Sequence, residues 1–375
     1  MKPESQIEHL RDALSRYSAK SVFLVTGDKS FTLSGAEDAL KPFLANLRVH
    51  RFFEFAENPE IDDVERGLAA FRKQDADVIL AVGGGSVIDM AKMINVFAAV
   101  ENPIEAHVRE NQPFERKAKP LIAIPTTAGA GSEATQFATL YIDKQKFSVA
   151  NKLLLPDVAI VDPVLTHNLP PRLTAISGMD SLSQSIESYW SVHSTDESKG
   201  YAREAMGLII ENLSNAVLAP ADASRAAMSK AANLAGQAIN ITRTTAPHAL
   251  SYSLTSRFGV PHGQAVSFTL PRFLVFNYGV TDADVVDGRG AAYVRKTIEE
   301  VAAVLGCRTV PEASAKILSM MKRIGLATTF AELQIDRDRA IETILREVNV
   351  ERLVNNPRRV THAQMRELLQ AIDNE

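Results

Sequence analysis

The sequence predicts an α/β domain built on a parallel sheet, followed by an all-α domain. Two observations carry this prediction. Between residues 22 and 161, short continuous apolar runs alternate with helical patterns, and strands that are apolar throughout belong to sheets covered on both faces. Beyond Asp162-Pro163 strand-like runs largely stop, and the chain reads as successive helices, several of them alanine-rich. The boundary is therefore placed to give domains 1–163 and 164–375. A chain of 375 residues has room for two such cores.

The expected strands are residues 22–26 (VFLVT), 78–82 (VILAV), 121–125 (LIAIP) and 158–161 (VAIV). A helix is expected over 59–73, with Ile61, Val64, Leu68 and Phe71 at helical spacing, and another opens near Ser86. The apolar run 78–100 is long enough to cross a bilayer. It contains Asp89, Lys92 and three glycines at 83–85, however, and a strand, a turn and a packed helix account for all of it. The charged stretch 107–119 reads as a solvated surface loop. In the second domain helices are expected over 172–192, 198–218, 223–241, 291–305, 310–324, 336–346 and 361–372, with Ser198 and Thr361 as caps.

Composition narrows the function. A net charge of −4 with a pI near 6.1 offers no basic face to nucleic acid, so small-molecule chemistry is the expectation. The single Cys307 cannot form an internal disulfide, and the N-terminal stretch is charged rather than an apolar signal core. The protein is expected to be cytoplasmic, without nucleic-acid or membrane partners.

Two loops suit a phosphate-bearing ligand. The strand 78–82 runs through Gly83-Gly84-Gly85-Ser86 into a helix, where backbone N–H groups and the helix dipole favour an anion. A second loop, Pro125-Thr126-Thr127-Ala128-Gly129-Ala130-Gly131-Ser132-Glu133, follows the next strand. Open α/β sheets bind ligands at the carboxyl ends of parallel strands, where both loops are expected. Downstream, Asp180 and Gln184 stand one turn apart in an apolar helix, and His248 and His262 flank a turn at Phe258-Gly259-Val260-Pro261. A carboxylate on a core-like helix requires a partner. One carboxylate and two imidazoles around a divalent cation supply it.

These blocks resemble the iron-containing (group III) alcohol dehydrogenase family. Gly83-Gly84-Gly85-Ser86 with Asp89, Pro125-Thr126-Thr127-Ala128-Gly129 through Ser132-Glu133, Leu155-Pro156-Asp157 through Asp162-Pro163, Gly178-Met179-Asp180 through Glu187, and Pro261-His262-Gly263 stand in the family's order over about residues 20–275. The resemblance implies a dehydroquinate synthase-like fold, a homo-oligomer, most simply a dimer, and a metal with the nicotinamide between the two domains. Its metal ligands fall on Asp180, Gln184, His248 and His262. The second position is usually histidine, and Gln184 offers a weaker neutral oxygen. Fe(II) is the favoured metal, with Zn(II) the other candidate. Four residues after His248, where many members have a histidine read as a proton relay, stands Tyr252, whose phenol can serve the same purpose.

For the cofactor the resemblance implies Gly84, Gly85 and Ser86 on the pyrophosphate, Asp89 nearby, Thr126 and Thr127 towards the phosphates and nicotinamide, and Lys146 on the nicotinamide ribose. NAD-preferring members usually carry an acidic residue directly after Val-Thr at the end of the first strand; here Val25-Thr26 is followed by Gly27, with Asp28, Lys29 and Ser30 beyond. Without a carboxylate at Gly27 a 2′-phosphate is not repelled, and Lys29 or Ser30 could bind it. NADPH is favoured over NADH, although Asp28 keeps NADH open. Arg243, with Thr242, Thr244 and Thr245, replaces a stretch that is glycine-rich and apolar in typical members. A guanidinium there suits a phosphonate, phosphate or carboxylate, and pairing with Glu133 or Glu187 is the structural alternative. The stretches 243–252 and 258–263 are similar to the phosphonoacetaldehyde reductase branch. A small anionic aldehyde is the substrate implied, reduced in that branch to 2-hydroxyethylphosphonate, with Lys152 a second phosphonate contact. Other readings are reduction of another small aldehyde, a dehydroquinate synthase-like lyase, and a catalytically silent nucleotide-binding protein.

Overall fold

The structure, a computed structural model, describes residues 5–110, 112–143, 145–348 and 350–374; residues 1–4, part of the N-terminal stretch read above, lie outside it. The chain divides into two compact units, Met1–Leu169 and Pro170–Glu375.

The first unit runs α1 (His9–Arg16), β1 (Ser21–Thr26), α2 (Ser30–Leu33), α3 (Ala36–Leu44), β2 (Arg48–Phe52), α4 (Ile61–Arg72), β3 (Val78–Gly83), α5 (Gly85–Phe97), α6 (Ile104–Arg109), β4 (Leu121–Pro125), β5 (Phe137–Ile142), β6 (Gln145–Ala150) and β7 (Val158–Ala159). Five strands form a parallel sheet in the order β2-β1-β3-β4-β7. Strands β1, β3 and β4 are buried along their whole length. Phe23, Val25, Ile79, Ala81, Leu121 and Ala123 join one core with α4 and α5, whereas Val22, Leu24, Val78, Leu80, Ile122 and Ile124 join another with α1 and α3. Both faces being apolar, the strand sequences carry no alternation.

Three features depart from the expectation. Strand β2 is an edge strand whose residues, apart from Phe52, are exposed or half-buried, so its RVHRF sequence gives no apolar signal. Strands β5 and β6 form an antiparallel hairpin where no strand was expected. The last strand of the sheet is only Val158–Ala159. The stretch 107–119 is also not wholly solvated: its residue 111 lies outside the described residues, but His107 is buried and stacks on Phe114 with ring centroids 4.8 Å apart. Phe97 of α5 closes on both rings. The apolar run 78–100 is β3 and α5, and among the described residues no helix is long and apolar enough to cross a membrane.

The second unit is helical: α7 (Pro171–Trp190), α8 (Asp196–Leu218), α9 (Asp222–Thr242), α10 (Ala246–Phe258), α11 (His262–Tyr278), α12 (Ala291–Val304), α13 (Val310–Arg323), α14 (Arg337–Glu347), α15 (Val350–Leu353) and α16 (His362–Gln370). Helix α7 is its axis, buried at every position from Gly178 to Trp190 and packed against α8, α9 and α11. Two of its buried serines return their hydroxyls to the helix backbone, Ser183 to the Met179 carbonyl and Ser185 to the Ser181 carbonyl, both at 2.7 Å. Helix α11 approaches α7 so closely that a Cβ on Gly263 would lie 2.1 Å from the Ile176 carbonyl oxygen. Thr361 caps α16 as expected, but α8 is capped by Thr195, with Ser198 completing a reciprocal pair of bonds three residues later.

Candidate metal centre and nucleotide loops

Three helices of the second unit bring Asp180, His248 and His262 together. Asp180 lies mid-way along α7, His248 in the first turn of α10, and His262 opens α11. One ligand atom from each falls within 4.8 Å of the others, and the two imidazole rings stand 5.4 Å apart at 72°. Asp180 and His248 are buried and His262 is half-buried. The close approach at Gly263 is what lets α11 deliver His262 beside Asp180.

His248 is held from behind. Its Nδ1 bonds Glu187 Oε2, while its Nε2 faces Asp180 Oδ1 at 3.6 Å. Glu187 is fully buried; its Oε1 accepts from the Thr245 hydroxyl at 2.9 Å and from the backbone N–H groups of Thr245 and His248 at 3.1 and 3.2 Å. Thr245 in turn accepts from Trp190 Nε1 at 2.9 Å. Burial opposes a charge on His248, but the Glu187 and Asp180 carboxylates overcome it and push the imidazole up to about 9. Two carboxylates around one imidazole ask for a cation. With Nδ1 engaged by a carboxylate, the arrangement presents Nε2 outward, as metal-binding histidines do. The donor set of one carboxylate and two imidazoles fits a divalent transition metal.

From the sequence, Glu187 closes a family block and is an alternative partner for Arg243, with no role at the metal. Its spacing offered a signal, since Asp180, Gln184 and Glu187 form an i, i+4, i+7 stripe on one helix. Gln184 is buried, one turn beyond Asp180. Tyr252 is half-buried, one turn beyond His248 on α10.

The turn between α9 and α10 corrects part of the expected substrate site. The Thr245 hydroxyl is engaged by Glu187 and Trp190 and is not open to a ligand. Thr242 Oγ1 lies 2.9 Å from Ser188 Oγ, within hydrogen-bonding distance. Thr244 is buried, and its carbonyl accepts from Asn355. Arg243 is exposed, with φ 61° and ψ −179°, a backbone region that is essentially glycine's. Its N–H bonds the Ile239 carbonyl at 2.8 Å, and its own carbonyl accepts from Thr242 at 2.9 Å. Lys152 is exposed on a single turn of the first unit, after β6.

In the first unit the two expected loops adjoin at the carboxyl ends of β3 and β4. Thr126 N–H bonds the Gly83 carbonyl at 3.0 Å. A Cβ on Gly84 would meet Thr127 at 3.3 Å, and one on Gly85 would meet Ala130 at 2.9 Å. Side chains there would fill the cradle, which is the local condition for a backbone that wraps a phosphate. Ser86 accepts from the Asn58 N–H at 3.3 Å. Gly27 and Lys29 lie in the turn from β1 to α2 and Ser30 opens α2, with Lys29 and Ser30 exposed.

Asp89, expected beside the cofactor, is buried instead against the hairpin. It accepts from the Thr139 N–H at 2.9 Å and bonds Ser132; burial raises its pKa, with Lys92 and Lys146 opposing. Lys92 is completely buried and donates to the Thr135 and Phe137 carbonyls at 2.8 and 2.7 Å. Burial pushes its ammonium down to about 8 against the pull of Asp89 and Glu133. This pair fixes the end of the second loop to α5. Lys146 is half-buried on β6, opposite Tyr141.

Comparison with known proteins decides the family. The pattern of the iron-containing alcohol dehydrogenases matches residues 3–163, and that of the family's C-terminal domain matches residues 174–372. The chain is an iron-containing alcohol dehydrogenase. It is therefore an oxidoreductase of a family of metal-dependent, NAD-linked alcohol dehydrogenases and aldehyde reductases. This family member is 36% identical over 343 residues to a phosphonoacetaldehyde reductase of Streptomyces viridochromogenes, covering 88% of this chain and 84% of that protein. It is 28% identical to a sulfoacetaldehyde reductase of Bilophila wadsworthia, covering 97% and 95% of the two chains. Among solved structures it is similar to a sulfoacetaldehyde reductase of Bifidobacterium kashiwanohense in complex with NAD+, with a TM-score of 0.88, 29% identity, and 99% and 97% of the chains covered.

Proposed function

We propose that this dehydrogenase reduces a small anionic aldehyde, phosphonoacetaldehyde, to 2-hydroxyethylphosphonate, with NADPH as the reductant. The observation that carries the reading is Arg243. A non-glycine residue in a glycine region costs of order 1–3 kcal/mol, and here it stands in the turn that leads into the helix of His248. An exposed guanidinium kept at such a cost has a use other than stability, and two donors on one edge match a phosphonate. The similarity to phosphonoacetaldehyde and sulfoacetaldehyde reductases supports an anionic head group.

Asp180, His248 and His262 are assigned to the metal, with Gln184 as a fourth, weaker oxygen donor. Fe(II) is favoured by the family and Zn(II) by the same donors. When bound, the metal supplies a Lewis acid for the carbonyl oxygen and the reduced nicotinamide supplies the hydride. Glu187 keeps the His248 proton on Nδ1 and its lone pair on Nε2. Tyr252 is the candidate to hand a proton from its phenol oxygen to the nascent alkoxide. Gly84, Gly85, Ser86, Thr126 and Thr127 are assigned to the dinucleotide phosphates, Lys146 to the nicotinamide ribose, and Gly27, Lys29 and Ser30 to the adenosine end. A cytoplasmic homodimer completes the proposal, which light scattering on the purified protein tests.

The deciding experiment follows NADPH oxidation by metal-reconstituted protein with phosphonoacetaldehyde, sulfoacetaldehyde, succinate semialdehyde and butanal. Phosphonoacetaldehyde is expected to have the highest kcat/KM, and Arg243→Ala to raise KM for the charged aldehydes while leaving butanal nearly unchanged. Equal turnover of butanal by the native enzyme would sink the reading. The second reading is sulfoacetaldehyde, favoured by the two sulfoacetaldehyde reductases above; a higher kcat/KM for the sulfonate would establish it instead.

A further inference from the structure

We infer that Arg51 is the residue that reads the adenosine 2′-phosphate and so sets the preference for NADPH. This rests on the proposed use of a nicotinamide dinucleotide by the first unit. Arg51 stands on edge strand β2, in register with Leu24 of β1, near the carboxyl end of the sheet. It is half-buried and held from several sides. Its Nε donates to Thr26 Oγ1 at 2.8 Å, and its Nη2 donates to the Gly27 and Asp28 carbonyls at 3.0 and 2.9 Å. The rings of Phe31 and Phe53 lie 4.9 and 4.6 Å from the guanidinium carbon. These bonds use the Nε proton and both protons of Nη2. The two N–H groups of Nη1 meet no protein acceptor among the described residues, and Nη1 is not buried.

The result is a permanent cation whose position is already fixed and whose exposed Nη1 still carries two N–H donors, which can bind a phosphate monoester with little further loss of side-chain entropy. It lies where a parallel sheet receives its ligand. The β1 turn adjoins the glycine loop, since a Cβ on Gly27 would come within 3.9 Å of Val87 in α5. The same Cβ would lie 2.1 Å from Ser30 Oγ. No carboxylate can therefore stand at residue 27 without displacing Ser30, and the negative charge that would oppose the phosphate there is missing. Asp28, exposed in the same turn, is a competing carboxylate. Arg51 gave no signal in the sequence because β2 has no apolar pattern; only the pairing of β2 with β1 sets it beside Gly27.

Calorimetric titration of the full-length protein with 2′,5′-ADP and 5′-AMP isolates this contact from metal, substrate and turnover. Native protein is expected to bind 2′,5′-ADP about 10- to 100-fold more tightly than 5′-AMP, the range of charge-assisted bonds to a dianion. Arg51→Gln is expected to bring the two within about threefold while leaving 5′-AMP unchanged. Arg51→Lys, which keeps the charge but loses the guanidinium held in place by the turn, should retain part of the preference, and it serves if the glutamine variant does not fold. An undiminished ratio in either variant overturns the inference, as does a native protein with no preference. Equal weakening of both nucleotides would make Arg51 only a clamp on the turn. If native protein binds neither nucleotide, the dinucleotide reading itself has failed.

Discussion

His248 can offer Nε2 to a metal only while its proton sits on Nδ1, and Glu187 is the group that holds it there. Glu187→Gln keeps the shape but replaces the carboxylate, so zinc or iron affinity is expected to fall about 10- to 100-fold. A competition titration with a chelating dye measures it, and unchanged affinity would mean that α10 alone orients the ring. The backbone of Arg243 yields a separate stability test. Glycine ordinarily destabilises relative to alanine, but at φ 61° Arg243→Gly should be more stable than Arg243→Ala by about 1 kcal/mol or more. Urea unfolding of the two variants decides it, and a more stable alanine variant would remove strain from the account. The sequence showed that a cation stood near a metal ligand. It could not show the left-handed backbone, because φ depends on how α9 ends against α10.

Helix packing brings the ligands together, and Gly263 is its tightest point. Gly263→Ala places a methyl group 2.1 Å from the Ile176 carbonyl, so α11 must move away from α7 and carry His262 from Asp180. Metal affinity is expected to drop by at least tenfold, with a loss of stability of about 1–3 kcal/mol; native metal affinity in this variant would show that the helices have slack. A second contact ties the segment after α11 to the one before α16. Asp284 accepts from the N–H and hydroxyl of Thr281 at 2.7 and 2.9 Å and from Arg358 at 2.7 Å. Burial opposes its charge, but these bonds and the Arg358 cation hold the carboxyl below the usual range. A depressed native pKa contributes stability above the unfolded value and loses it as pH falls through the native one. Native protein should therefore exceed Asp284→Asn in urea midpoint at pH 7, and the gap should close towards pH 3; a constant gap would refute the titration. At this scale the buried strands and long helices were legible because continuous apolar runs and helical periodicity are local. Strand β2 and the β5–β6 hairpin were not, because edge and hairpin strands carry mixed residues whose pairing partners lie elsewhere in the chain.

At the scale of the molecule, each proposed site draws on one unit. The candidate metal ligands all belong to the helical unit, and the glycine cradle to the α/β unit. Metal bound only by the folded state stabilises by mass action, so chelation is expected to lower the thermal midpoint by several degrees. Re-addition of Fe(II) or Zn(II) should restore it, while 5′-AMP affinity stays unchanged, as calorimetry would record. Loss of nucleotide binding on chelation would refute the assignment of the two ligands to different units. The sequence by itself determined the order of α/β and helical parts and the glycine loop, since periodicity and glycine turns are written locally, and it offered Asp180, His248 and His262 as a set only through their chemistry and the family resemblance. Only the tertiary structure decided that Glu187 stands behind His248, that Thr245 and Asp89 are engaged in the scaffold, and that Arg51 lies across the β1 turn. Each of these depends on a contact between residues distant in the chain, and such contacts exist only once the helices and strands have packed.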